Sequence, residues 1–377
     1  MESFEELFSL QSLDEAFYQC ITHNHWKQST HNYWVNLLPN NIKLHEELMS
    51  GAYRVGEKYD FIISERGKHR LIQAPLLRDR IVQKILCRKV LIPQLSPYLI
   101  YDNYASLEDR GTSLARKRTE IALRNWISVH GNSGYVTTID IHNFFGSIRH
   151  DILKQMIHEK IIADQKTVDL IDYSIDTSED NGVGLNLGSE VPQISAVFYP
   201  YRLDNWFKIV ERVPSYGRYM DDIKYLTEDT NRAKYLIDGA VDILDGLGLQ
   251  INEKKTQIVK LSHGFTYLQT KYNIDNGHLI TRPTHDKIAR ERQKLKRYRN
   301  LVDEGRATPY EVYLWYNGWK RSLLKDYNSC WNTLQNMDVT FNELFPVIEK
   351  PKKMIRSQMI YNIFKEAEYE DLRYGWE

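Results

Sequence analysis

The stretch YGRYMDDIKYL, Tyr216 to Leu226, sets two adjacent aspartates inside a run that otherwise reads as a β-hairpin. β-Propensity and like-charge repulsion both oppose Asp221 and Asp222 side by side in such a segment. The ordinary home of such a pair is a solvated turn, yet the flanks here are Tyr219, Met220, Ile223, Tyr225 and Leu226, all apolar or aromatic. The pattern therefore predicts two carboxylates held partly out of water on a rigid element. That is unfavourable unless a cation sits between them.

A second acidic position gives this cation a use. In YVTTIDIHNFFGSIRHDIL, Asp140 ends a β-rich run and is followed by a turn into an amphipathic helix, and Asp221 lies 81 residues further on. Asp140, Asp221 and Asp222 converging on one side of a sheet would hold two divalent ions about 3.5 to 4 Å apart, the arrangement that activates an attacking oxygen and steadies a leaving pyrophosphate. Magnesium takes oxygen ligands and keeps several waters, so few carboxylates suffice. Taken singly, Asp140 reads as a strand-terminating or capping residue.

Length and charge bound what such a site could serve. The chain has 377 residues, enough for a large core and two or three subdomains. No run of about eighteen apolar residues occurs, and the acidic start MESFEELFSL lacks the basic and apolar parts of a secretory signal, so a cytoplasmic protein without a membrane partner is expected. Cys20, Cys87 and Cys330 match neither a disulfide framework nor a zinc spacing. Basic and acidic residues balance at 50 each, but their distribution does not. Glu65 to Lys89 and Arg282 to Arg299 each hold eight Lys or Arg against two acidic residues, whereas Met1 to Trp26 and Lys365 to Glu377 are acidic. Two separated basic blocks suit a protein that grips a polyanion from two sides.

Helical periodicity fits the N-terminal segment and DRIVQKILCRKVLIPQL, and strand character fits YDFIIS, YVTTIDI, IKYLT and FTYLQTKYNI. THDKIARERQKLKRYRNLVDEG predicts a long basic helix ending near Gly305, and EDNGVGLNLGSEVPQ has loop chemistry before ISAVFYPYRLDNWF resumes a helix.

In this order the segments GKHRLIQAP, DNYASLEDRGTS, TTIDIHNFFGSIRHDIL, GLNLGSEVPQIS, YGRYMDDIKYL, GLGLQINEKKTQIV and FTYLQTKY resemble the palm and fingers of reverse transcriptases, from about Lys68 to about Tyr272. The resemblance implies an α+β right-hand polymerase: fingers within residues 1–119, an antiparallel palm over 120–274, and a helical thumb with the C-terminal region over 275–377. Asp140 and Asp221 would ligate both metal ions with the backbone carbonyl of Ile141, and Asp222 would sit beside them. Lys68 and Arg70 would bind the triphosphate, where a planar guanidinium suits a phosphate fork. Lys255 would protonate the leaving pyrophosphate, with Lys254 its near neighbour. Phe145, five residues after Asp140, would lie under the incoming sugar and exclude a 2′-hydroxyl. Relatives carry a Gln-Gly pair against the nucleotide, and this chain departs from them with Leu187-Gly188 and a glutamine at Gln193. That variant is similar to bacterial enzymes of diversity-generating retroelements and of the defence-associated and abortive-infection groups.

The thumb helix would track the duplex backbone through Lys287, Arg290, Lys294 and Arg297, which fall on one helical stripe. The expected function is RNA-directed DNA synthesis from deoxynucleoside triphosphates with two Mg²⁺ ions, for which Mn²⁺ could substitute. The expected partners are a structured non-coding RNA as template, the RNA–DNA hybrid, and a second copy or an accessory protein, in an antiphage setting. The alternatives are a mutagenic retroelement polymerase, template-independent DNA synthesis, and an RNA-binding scaffold with a silent palm.

Overall fold

A computed structural model describes residues 2–22, 27–65, 68–178 and 181–349, with the side chains of 64, 65 and 68 also outside it. The acidic tail 365–377 lies outside the described residues. Three antiparallel sheets organise what is described. The first pairs β1 (Tyr59–Glu65) with β2 (Lys68–Ala74) in a two-stranded hairpin. The second contains β3 (Tyr135–Asp140), β4 (Gly217–Tyr219), β5 (Asp222–Thr227) and β6 (Gln257–Lys260) in the order β4-β5-β3-β6. The third is β7 (Phe265–Tyr267), β8 (Thr270–Asp275) and β9 (His278–Pro283). Helices cover the rest, so the class is α+β.

The register of the central sheet positions the acidic residues. β3 and β5 run antiparallel from Tyr135↔Thr227 to Asp140↔Asp222, which brings the end of one strand to the beginning of the other. Ile139, Ile223 and Tyr225 are buried on one face of β3 and β5 and Val136 and Leu226 on the other, so a slip of one residue would exchange side chains between two packed faces. The register is thus specified by burial rather than by the aspartates.

Three expected elements differ in detail. The helical run DRIVQKILCRKVLIPQL forms, but as an α-helix Leu77–Ile85, a π-helical turn Leu86–Leu91 and a last turn Ile92–Leu95. The wider turn stands directly before Pro93, whose missing N–H already breaks the α-helical ladder. ISAVFYPYRLDNWF is interrupted at Pro200 between the helices Glu190–Phe198 and Tyr201–Asn205. FTYLQTKYNI, read as one strand, is the hairpin β7–β8, turned by Leu268 and Gln269, both at positive φ (45° and 60°). A tight hairpin of this kind normally announces itself with Asn or Gly, and neither is present.

The main core joins the N-terminal helices Leu10–Ile21 and Leu37–Met49, the helix Leu77–Ile85, and the inner face of the central sheet. A second core lies between β7, β8, β9 and the helix Thr112–His130, through Leu123, Phe265, Tyr272 and Leu279. The helices His285–Asp303, Pro309–Asp326 and Trp331–Leu344 pack a third, through Leu295, Tyr316, Met337 and Phe341. This helical unit is fastened to the rest by charge and by backbone mimicry. Arg116 donates to Asp326 at 2.7 Å, and Asn328 extends the edge of β9 by accepting from Thr281 N at 2.7 Å and donating to the Leu279 carbonyl at 2.7 Å. Cys20, Cys87 and Cys330 are free and buried. Among the described residues no helix is long and apolar enough to cross a membrane.

Candidate active site

Tyr219 pairs with Asp222, so Met220 and Asp221 alone make the turn between β4 and β5. Met220 sits at φ 52°, a backbone state that glycine takes most easily at the first turn position. For another residue such a state costs on the order of 1–3 kcal/mol and persists only where the surroundings hold it. One restraint comes from β3: the N–H of Ile141 donates to the Asp221 carbonyl at 3.1 Å, folding the turn over the strand end. Two aspartates are tolerated because Asp221 is in the turn and Asp222 opens the strand. Neither interrupts the ladder.

Asp140 is held on three sides. Lys255 Nζ donates to its Oδ1 at 2.6 Å and Asn252 Nδ2 to its Oδ2 at 3.1 Å, while Asn252 N donates to its carbonyl at 2.7 Å. The carboxyl of Asp221 is raised above the ordinary range first by burial and then by the negative charge of Asp140, while Arg70 and Lys255 pull it down. The cation on β2 therefore acts on the turn carboxylate. Among the described residues no three His, Cys, Asp or Glu side chains meet closely enough to hold a metal ion. In the β3–β5 register Asp140 stands opposite Asp222, and Asp221, in the turn, feels the negative charge of Asp140. Oxygen donors of this kind, one made costly to ionise by burial and then by its neighbour, fit a hard divalent cation. A cation bound there would compete with Lys255 for Asp140.

The remaining expected residues fall around this point with varied surroundings. Phe144 is buried, whereas the adjoining Phe145 is half-buried, its ring 5.5 Å from that of Phe144 and inclined at 75°. Gly188 has φ 114°, and a Cβ there would lie 2.9 Å from the Gln73 carbonyl oxygen on β2. Beside it Gln73 N donates to the Leu187 carbonyl at 2.8 Å, so the glycine permits the loop to seat on the β1–β2 hairpin. Gln193 is exposed and donates to Ser106 Oγ at 2.8 Å. Arg70 is exposed on β2, and the side chain of Lys68 lies outside the described residues.

Lys287, Arg290, Lys294 and Arg297 are all half-buried on the helix His285–Asp303. Lys287 donates to Tyr327 Oη at 3.0 Å, Arg290 to Gln269, and Lys294 lies 5.8 Å from the centre of the Trp315 ring. The stripe therefore flanks the packed seam, and Gln293, Lys296 and Asn300 form the outer face. Three participants were not singled out from the sequence: Asn252, Arg218 and Tyr267. Asn252 stands three residues before Lys255 in INEKK, and Arg218 is the lone cation in YGRYMDD. Both were visible as polar residues in quoted motifs. Tyr267, whose hydroxyl donates to the Asp222 carbonyl at 3.3 Å, needed the third sheet to be folded against the second.

Structural comparison gives low-identity likenesses. Telomerase from Candida tropicalis, truncated of its C-terminal domain, aligns at 14% identity and TM-score 0.45, over 68% of this chain and 60% of that one. Telomerase from Candida albicans, in complex with a fragment of telomeric RNA, aligns at 12% identity and TM-score 0.49, over 79% and 56%. The chain thus spans 60% or less of these two proteins. No curated protein sequence matches. The profile of the family described as reverse transcriptase (RNA-dependent DNA polymerase) matches residues 57–272, more than half of the chain and inclusive of Asp140, Asp221 and Lys255, and the protein therefore belongs to the reverse transcriptase family.

Proposed function

We propose that the protein is an RNA-directed DNA polymerase whose catalytic carboxylates are Asp140 and Asp221. The observation that carries the reading is the cluster at the β3 and β4–β5 strand ends, where Lys255 donates to Asp140 and the charges of Asp140 and Arg70 both act on Asp221. Asp140, Asp221 and the carbonyl of Ile141 would hold Mg²⁺, with Asp222 adjusting the local charge. Bound there, the ions would activate a primer hydroxyl and neutralise the leaving pyrophosphate. The chain's own residues do the rest. Arg70, with Lys68, binds the triphosphate; Phe145 excludes the ribose hydroxyl; and Lys255, whose ammonium lies beside Asp140, donates a proton to the leaving group. Gly188 and Gln193 line the nucleotide's approach. In this reading the fingers extend to about 119, the palm spans 120–274, and the thumb begins near 275.

The finer assignment is a bacterial enzyme acting in antiphage defence on a structured non-coding RNA, supported by the Leu187-Gly188 and Gln193 variant. Sequencing nucleic acid that copurifies with the protein tests that assignment. One abundant RNA with matching cDNA is expected, and DNA without a matching RNA would favour template-independent synthesis. The catalytic reading is tested with Asp140→Ala and Asp221→Ala. Each should reduce Mg²⁺-dependent incorporation on a primed RNA to background while leaving RNA binding and melting temperature near those of the wild type. Full-length cDNA from either variant would overturn the assignment.

A further inference from the structure

Three consecutive main-chain carbonyls at the turn are each claimed by a separate donor. Asp221 O accepts from Ile141 N at 3.1 Å, and Asp222 O accepts from the buried Tyr267 hydroxyl at 3.3 Å. Met220 O accepts from Arg218 Nη1 at 3.1 Å. Arg218 is fully buried, which is costly for a guanidinium unless its nitrogens are paired. It is paired: Nε and Nη2 donate to Asp204 Oδ1 and Oδ2 at 2.8 and 2.7 Å, and Nη2 also donates to the Val197 carbonyl at 2.9 Å. Asp204 is itself fully buried and accepts from the Tyr216 hydroxyl at 2.6 Å. The backbone around Arg218 is equally fixed, its N–H donating to the Asp102 carbonyl at 3.0 Å and its carbonyl accepting from Tyr104 N at 2.9 Å.

A purely structural ion pair would need only Asp204. Here the guanidinium spans from Asp204 to the carbonyl of the residue held at positive φ, immediately before Asp221. We propose that Arg218 is the positioning residue of the site: by holding the Met220 peptide against Asp204, it keeps the turn in the form that aims Asp221 at the cation shared with Asp140. This rests on the carboxylate assignment above. Arg218 is too deeply enclosed to touch substrate and acts only through the turn.

The test separates positioning from stability by replacing the polar network with apolar side chains. Buried ion pairs exchanged for hydrophobic residues of similar volume commonly lose no stability. In full-length protein, the triple variant Arg218→Met, Asp204→Leu, Tyr216→Phe should melt near the wild-type temperature. Its Mn²⁺ affinity, read by electron paramagnetic resonance, should fall by about tenfold, equivalent to ~1.4 kcal/mol. Its incorporation rate at saturating nucleotide should fall while KM for the nucleotide holds. Arg218→Lys keeps the charge beside Asp204 but loses the planar fork. It should therefore remain folded and show the same weakening of Mn²⁺ binding, which keeps the question answerable if the triple variant does not fold. Wild-type Mn²⁺ affinity in a folded variant of either kind would overturn the positioning role alone. If wild-type protein bound no Mn²⁺, or bound it equally after Asp221→Ala, the site assignment would fall and the proposal with it.

Discussion

Phe144 and Phe145 show how adjacent identical residues acquire different work. Phe144 is buried in the main core, whereas Phe145 is half-buried and packs only at its margin. Phe144→Ala should therefore cost about 3–5 kcal/mol in thermal or denaturant unfolding. Phe145→Ala should instead raise ribonucleotide use relative to deoxynucleotide use in single-nucleotide incorporation, with little loss of stability. The reverse pattern would mean the other ring lies under the sugar. Asp102 offers a pH readout away from the site. Burial pushes its carboxyl up, but hydrogen bonds from Arg118 and Lys208, each at 2.7 Å, outweigh this and hold it at about 2, below the ordinary 3.8. A folded value below the unfolded one gives stabilisation that is complete above 3.8 and is lost as pH falls toward 2. Asp102→Asn should lower stability at neutral pH by about 2 kcal/mol, the scale of a charge-assisted hydrogen bond. It should also flatten the acid limb of the melting curve, and parallel limbs for variant and wild type would contradict the pairing.

At the level of elements, the join between the β1–β2 hairpin and the palm depends on a missing side chain. The loop at Leu187-Gly188 docks on β2, and the helix Glu190–Phe198 that follows is capped from the fingers by Gln83, whose Oε1 accepts from Glu190 N at 2.7 Å. Alanine at 188 would meet both a positive φ and the Gln73 carbonyl, neither of which can yield cheaply. Gly188→Ala should lower stability by about 1–3 kcal/mol and raise KM for the nucleotide more than it lowers kcat. An unchanged KM would show that seating this loop does not shape the nucleotide's approach.

Across the whole molecule, basic side chains are concentrated between Glu65 and Lys89 and on the helix His285–Asp303, while the total charge is zero. Exchanging Lys287, Arg290, Lys294 and Arg297 together for glutamine should weaken hybrid-duplex binding regardless of sequence. It should also reduce the slope of log affinity against log salt, by up to about 0.9 for each phosphate that is no longer neutralised. Because Lys287 and Lys294 also pack on Tyr327 and Trp315, the variant should melt earlier as well. Lys296→Gln, on the outer face, should leave both quantities unchanged. A slope that does not move in the fourfold variant would place the duplex elsewhere.

Local pattern by itself determined which residues could carry the chemistry. An Asp-Asp pair among aromatics, an aspartate closing a β-branched run and a lysine in INEKK are legible because strand propensity and charge placement act over a few residues. The long basic helix was equally legible, since its periodicity repeats over five turns. The hairpin turn at Leu268-Gln269 was not, because nothing in those two residues favours positive φ and only the pairing of β7 with β8 imposes it. The same holds for the roles of Arg218, Asn252 and Tyr267. Each acts through a hydrogen bond to a backbone or carboxylate that chain folding brings near, over separations of 2 to 112 residues. How the carboxylates are placed was likewise a tertiary matter. Sequence spacing could not place three aspartates, whereas the register of β3 on β5 sets Asp140 opposite Asp222, and the two-residue turn holds Asp221 where it feels the charge of Asp140.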